Sequence, residues 1–286
     1  MPHPSDEKIK ELELTANEIR QSIIEMLLEA GSGHTAGSLG MADIFTALYF
    51  HILNHKPDEP LWEERDRVIL SNGHIVPVRY AAMAHAGYFP VEELKTLRAF
   101  GSRLQGHPER DRFGAMETTS GPLGSGLGQA AGIAYGARMD GKKFQTYCLM
   151  SDGEHDAGNI WESVMFAAKN KLSNLTGIID RNNIQINGMT EDVMPLDSLR
   201  EKYEAFNWHV IDINGHDMEE IIAATEQAKA IFEKPTVIVA HTVPGKGIKE
   251  IEFDYTWHGK PPKKEEADKF LKELRTLRGS ITGEHE

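Results

Sequence analysis

The sequence predicts an α/β chain: a doubly wound, mainly parallel sheet with helices on both faces. Three observations predict it. Short runs rich in Val and Ile recur along the chain, amphipathic helical stretches separate them, and polar, glycine-bearing loops follow several of the runs. With 286 residues, 40% of them hydrophobic, there is material for a sizeable core, and no repeat or long linker interrupts it. Residues 1–286 therefore read as one domain.

Taken in order, apolar Ile9, Leu12, Ile19, Ile23, Met26 and Leu27 recur at helical spacing from Ser5 to Ala30, with Asp6 and Glu7 in the first turn and Gly31 at the end. After the loop "GSGHTAGSLG", residues 41–53, "MADIFTALYFHIL", read as a second helix. "RVILSNGH" is a short buried strand running into a loop, "IVPVRYAAMAHAG" a helix, and "LGSGLGQAAGIAYGARM" a small-residue helix able to pack closely. Next come the strand "FQTYCLMS", the helix "NIWESVMFAAKNK" and the strand "LTGIID". The strand "WHVIDIN", the helix "MEEIIAATEQAKAIF" and the strand "PTVIVAH" follow, and "KKEEADKFLKELRTLR" closes the series as a charged surface helix with an apolar stripe.

Charge and cysteine usage narrow the function classes. Lys and Arg total 31 against 44 Asp and Glu, and the net charge of -13 disfavours nucleic acid or an anionic membrane as a partner. The single cysteine, Cys148, lies inside the apolar run "YCLM". It excludes an intrachain disulfide, reads as a buried core thiol and fits a reducing compartment. "MPHPSDEKIK" lacks an apolar signal core and no run of about 18 apolar residues occurs, so a cytoplasmic protein is expected.

In such sheets the ligand sits beyond the carboxyl ends of the strands. "SNGH", "SDGEHDAG", "DRNNIQING" and "HTVPGKGI" follow four of them. Asp152 ends one strand and Asn182 follows the next, 30 positions later, with one crossover helix between. Adjacent strands would bring the Asp152 carboxylate and the Asn182 amide oxygen together, a pair that Mg²⁺ accepts when phosphates supply further ligands. Gly153, without a side chain, would let a phosphate approach the backbone and the following helix N-terminus. Asp-Gly alone is a common turn signal; coupled to Asn-Asn at this spacing, the metal reading prevails.

This pattern resembles the thiamine diphosphate motif, GDG followed after one βα unit by NN, with Ser151 in place of the first Gly. The resemblance implies Asp152, Asn182 and the main-chain oxygen of Ile184 as metal ligands, with Mg²⁺ the expected ion and Ca²⁺ or Mn²⁺ as substitutes. "SGHTAGSLG", "SNGH", "GHPE", "TSGPLGSGLG" and "WHGKPP" resemble, in order, the signatures of the N-terminal half of transketolases, from about residue 10 to 265. A lone histidine is more often a surface or satisfied residue than a catalytic one. His34, His74, His107 and His258 each sit in a Gly-flanked loop, and the resemblance implies that all four line one cleft as catalytic residues. It sets His74 and His258 nearest the cofactor and His34, His107 and His258 toward the donor's hydroxyls. It also implies that Gly121 and Leu123 touch the aminopyrimidine side, and that Leu123 and Ile186 hold the bent cofactor shape.

The chain departs from that family at Ala157, where a Glu of the subunit-interface network is usual, and at Thr35 and Ala36, where Pro or Ile and Gly are usual. Glu154, His155 and Asp156 become candidates for helix-start and interface roles, and Lys246 either is solvated or helps close the site. Single-chain transketolases are more than twice as long. The resemblance therefore implies the diphosphate-binding (PP) subunit of a split transketolase, moving a glycolaldehyde unit between sugar phosphates. A partner chain would supply the pyrimidine-binding and C-terminal domains in an α2β2 assembly. Alternatives are a transketolase for a specialised sugar, a deoxyxylulose phosphate synthase, the α subunit of a 2-oxo acid dehydrogenase, and a noncatalytic relative of the same fold. The four ordered histidines favour a ketose donor over the second and third, and the retained Asp152 and Asn182 count against the last. A nucleotide-binding module built on "GSGLGQAAG" is weak, because no acidic ribose-binding residue is placed for it.

Overall fold

Ser5 opens the first helix by accepting a hydrogen bond from the Lys8 amide, and Gly31 closes it at φ 60°. Between these caps α1 (Asp6–Ala30) buries Ile9, Leu12, Ala16, Ile19, Ile23 and Met26 along one face. The computed structural model describes residues 4–285. Met1, Pro2 and His3, part of the stretch read as lacking a signal core, lie outside the described residues, as does Glu286.

The stretch expected as one helix over 41–53 is broken. It forms α3 (Ala42–Ala47) and a π-helical turn at Leu48–Ile52 whose last bond runs from the Leu53 amide to the Leu48 carbonyl, and the preceding stretch read as a loop already contains the short helix α2 (Ala36–Gly40). Almost all of it is buried, so no polar face gives the helix a phase in the sequence. The other expected elements stand close to where they were read. They are β1 (Arg67–Leu70), α4 (Val76–His85), α5 (Ser125–Met139), β2 (Thr146–Ser151), α6 (Gly158–Lys169) and β3 (Leu175–Arg181). A two-residue hairpin, β4 (Ile184–Gln185) and β5 (Gly188–Met189), leads into the short helices α7 (Thr190–Val193) and α8 (Leu199–Ala205). Then come β6 (His209–Asn214), α9 (Met218–Ala230), β7 (Thr236–His241) and α10 (Lys264–Glu284), the last extending past the stretch read from sequence. Among the described residues no helix is long and apolar enough to cross a membrane.

The five long strands pair in the order β1-β2-β3-β7-β6, every pair parallel. Side chains alternate across a strand, and β2 shows both faces covered: Tyr147 and Leu149 enter the core cluster with α1, α3 and α4, while Cys148 and Met150 enter the one with α5 and α6. Every residue of β2 and β3 is buried, which sets these two strands at the centre. Burial pushes the Cys148 thiol well up, as expected of a core thiol.

One contact fixes the small-residue helix against the sheet. A Cβ built on Gly126 would lie 2.4 Å from the Ser71 Cβ and 2.6 Å from its Cα, and the Gly126 amide donates to Ser71 Oγ at 3.1 Å. Because backbone stands on both sides, Gly126→Ala should destabilise the chain by about 1–3 kcal/mol, read as a lower urea midpoint with an unchanged m-value.

Candidate active site

Three strand ends supply loops to one cavity of about 420 Å³. His74 follows β1, Asp152 and Gly153 follow β2, and Asn182, Ile184 and Ile186 follow β3; His34, His107, Gly121, Leu123 and His258 arrive on loops from elsewhere. The cavity is lined by all eleven residues singled out in the sequence. It also includes Gly37, Ser151, Gln185 and Asn187, which were not singled out.

Three imidazoles form a compact group. Ring centroids lie 4.9 Å apart for His34 and His74, 5.5 Å for His34 and His258, and 5.2 Å for His74 and His258. Loop-to-loop hydrogen bonds bring them together: the buried Thr35 hydroxyl donates to the Lys260 carbonyl at 2.6 Å, and the Gly245 amide donates to the Ala36 carbonyl. Thr35 and Ala36, two of the three positions noted as departures, therefore join the His34 loop to the loops on either side of His258. Burial, reinforced by His258, Arg98 and His107, holds His34 down to about 4, and burial also lowers His74, His107 and His258. Neutral rings can donate through one nitrogen and accept through the other. His34 Nδ1 is buried and meets no hydrogen-bond partner among the described residues.

Elsewhere in the cavity lining, Asp152 and Asn182 are 1% and 4% exposed. Parallel pairing of β2 with β3 brings their strand ends side by side, with Ser151 opposite Asp180. Asp152 Oδ2 accepts from the Asn183 amide at 2.8 Å, Arg181 Nη1 at 3.1 Å and Thr190 Oγ1 at 3.3 Å, while Oδ1 accepts from the Gly153 amide at 2.7 Å. Asn182 Nδ2 donates to Asp180 at 2.8 Å, which fixes which way its amide oxygen points. Burial, opposed by the Thr242 hydroxyl and the Asn182 amide, raises Asp180 to about 7; it raises Asp152 as well. Among the described residues no three His, Cys, Asp or Glu side chains converge to hold an ion. The donors on this wall are instead mixed oxygens, from a carboxylate, an amide and main chain, which suit a hard cation completed by phosphate. Gly153 and Gly121 keep the walls low: a Cβ on Gly153 would press on Gln185 at 3.1 Å, and Gly121 faces open space.

Residues 12–277 match the family described as transketolase, thiamine diphosphate binding domain. The chain belongs to the transketolase family. A 6-deoxy-6-sulfo-D-fructose transketolase subunit of Clostridium sp. (strain MSTE9) is 42% identical over 237 residues, covering 83% of this chain and 86% of its own. An apulose-4-phosphate transketolase subunit of Phocaeicola vulgatus is 39% identical over 267 residues, covering 93% and 95%. The crystal structure of transketolase from Campylobacter jejuni superposes with a TM-score of 0.87 at 35% identity, over 94% of this chain but 42% of that one. Thus the chain spans most of the length of both transketolase subunits but less than half of the longer transketolase.

Within this transketolase domain some expected roles shift. Glu154 and His155, read as helix-start or interface candidates, are buried. Glu154 Oε2 accepts from the Gly124 amide, and burial raises its carboxyl to about 8. His155 Nδ1 donates to the Ser151 carbonyl and Nε2 accepts from the Tyr203 hydroxyl, a neutral tautomer pinned under the turn. Only Asp156 of the three is exposed, accepting from Gln185 Nε2 at 3.2 Å. Lys246 sits in a turn between Gly245 and Gly247 and does not line the cavity.

Asp180 and Arg181 were not anticipated from the sequence. The signal that could have found them is a pair of charged residues closing an otherwise apolar strand.

Proposed function

We propose that this chain is the thiamine diphosphate-binding subunit of a split transketolase, transferring a glycolaldehyde unit from a ketose phosphate to an aldose phosphate. The observation that carries the reading is one of length joined to site: the chain covers 95% of one transketolase subunit but 42% of a longer transketolase, while one cavity gathers its histidines and oxygen donors. Residues 1–286 act as one PP-type domain. The pyrimidine-binding and C-terminal domains belong to a partner chain, in an α2β2 assembly in the cytoplasm. The two similar subunits are named for apulose 4-phosphate and for a sulfonated fructose, so a sugar with an anionic end is the substrate class favoured here.

When bound, thiamine diphosphate supplies the carbon nucleophile and electron sink. Asp152, Asn182 and the Ile184 carbonyl would hold Mg²⁺, with Ca²⁺ or Mn²⁺ as substitutes, and Gly153 would admit the diphosphate. Gly121, Leu123 and Ile186 would hold the aminopyrimidine side of the cofactor. His74 and His258 would serve the cofactor as hydrogen-bonding groups. His34, His107 and His258 hydrogen-bond the donor's hydroxyls and carry protons as the C2–C3 bond breaks, a task for imidazoles kept neutral.

The test is product analysis on the chain assembled with a pyrimidine-domain partner. A ketose phosphate with an aldose acceptor should yield an aldose shorter by two carbons. Carbon dioxide released from a 2-oxo acid, with no such aldose, would overturn the reading in favour of another thiamine diphosphate reaction.

A further inference from the structure

Arg181 closes β3 immediately before Asn182, and only 9% of it is exposed. Its Nη1 donates to Asp152 Oδ2 and its Nη2 to Glu191 Oε1 at 2.5 Å. The Asn183 amide, the Gly153 amide and Thr190 Oγ1 already orient the Asp152 carboxylate from three sides. Orientation therefore does not depend on Arg181. What the guanidinium alone adds is a full positive charge on the carboxylate that is to meet a divalent cation, in surroundings where charges are weakly screened.

We infer that Arg181 sets the metal affinity of this site as an internal cation that competes with the divalent ion for Asp152 and keeps binding weak; the inference rests on the metal-site reading above. Arg181 is a positioning residue that acts through Asp152. Glu191 governs how strongly it competes, because that carboxylate takes the second arm of the guanidinium. Glu191 also accepts from the Leu196 and Asp197 amides, so the same charge bridges the site and the segment after α7. A metal arriving at Asp152 pushes the guanidinium's charge toward Glu191 and that segment.

Mn²⁺ titration of the full chain tests this, read by the electron paramagnetic resonance of unbound ion and by the metal-dependent rise in melting temperature. Arg181→Met should bind Mn²⁺ about tenfold more tightly, or ~1.4 kcal/mol. Arg181→Lys, which keeps the charge and loses the fork, should stay near the parent chain; affinity like that of Arg181→Met would show a hydrogen-bonding role and overturn the inference. Glu191→Gln should weaken binding, since the guanidinium then has Asp152 as its remaining carboxylate. Unchanged or weaker binding by Arg181→Met sinks the proposal, and if that variant does not fold, absence of weakening in Glu191→Gln does so. Asp152→Asn separates the two levels. If it binds Mn²⁺ as the parent does, the metal-site reading falls and takes this inference with it; if the parent binds none, the inference that Arg181 tunes a site on this chain falls alone. If Asp152→Asn abolishes binding while the Arg181 and Glu191 variants match the parent, only the Arg181 inference is lost.

Discussion

Asp152→Ala should abolish Mg²⁺-dependent binding of thiamine diphosphate by the assembled enzyme. The carboxylate is the one charged donor on its wall of the cavity, since Asn182 offers an amide oxygen and Ile184 main chain. Removing groups that merely support a metal ligand costs about 10–100-fold in affinity, so losing the ligand itself should exceed that. The fold should survive, because burial raises Asp152 and a buried carboxylate is costly to keep ionised. Arg181 retains Glu191 as a partner in the variant. Calorimetric titration with thiamine diphosphate at fixed Mg²⁺, alongside circular dichroism, makes the comparison. Unchanged affinity in a folded variant would refute the ligand assignment.

The second large effect concerns the chain by itself. Without its partner it should bind the cofactor poorly and transfer essentially no glycolaldehyde. Two apolar side chains at the cavity stand open in the isolated chain, Leu123 at 44% and Ile186 at 68% exposed, as expected of a wall that another surface completes. On the split-subunit proposal the acid–base group that serves the aminopyrimidine would come from the partner, and general acid–base help is worth about 100- to 10,000-fold. Co-expression with the partner should therefore raise turnover by at least about 100-fold. Full turnover by the chain alone would sink the split-subunit reading.

Much of this was legible in the sequence, for a physical reason. The central strands are runs of apolar residues bounded by polar loops, and the cavity residues sit where those runs stop, so Asp152 and Asn182 could be paired from spacing alone. What could not be read depends on contacts across the chain. The 36–52 stretch is buried nearly all round, so its breaks left no periodic trace. Ile184–Met189 makes a hairpin too short for an alternating pattern to declare it. Glu154 and His155 read as helix-start or interface candidates because nothing local reveals the Gly124 amide, Ser151 carbonyl and Tyr203 hydroxyl that receive them. Arg181 was passed over because a charge at a strand end is ordinary until its partners are known.

The parallel sheet gives the two walls of the cavity different histories during synthesis. Asp152 and the Asn183 amide that it accepts from are 31 residues apart, within a single β-helix-β unit that can close soon after it emerges. The histidine wall is drawn together by contacts such as the Thr35–Lys260 bond, spanning 225 residues, which cannot form until nearly the whole chain is available. Closing so long a loop costs entropy before any contact repays it. A nascent or truncated chain would therefore possess the Asp152–Asn182 half of the pocket well before the histidine half.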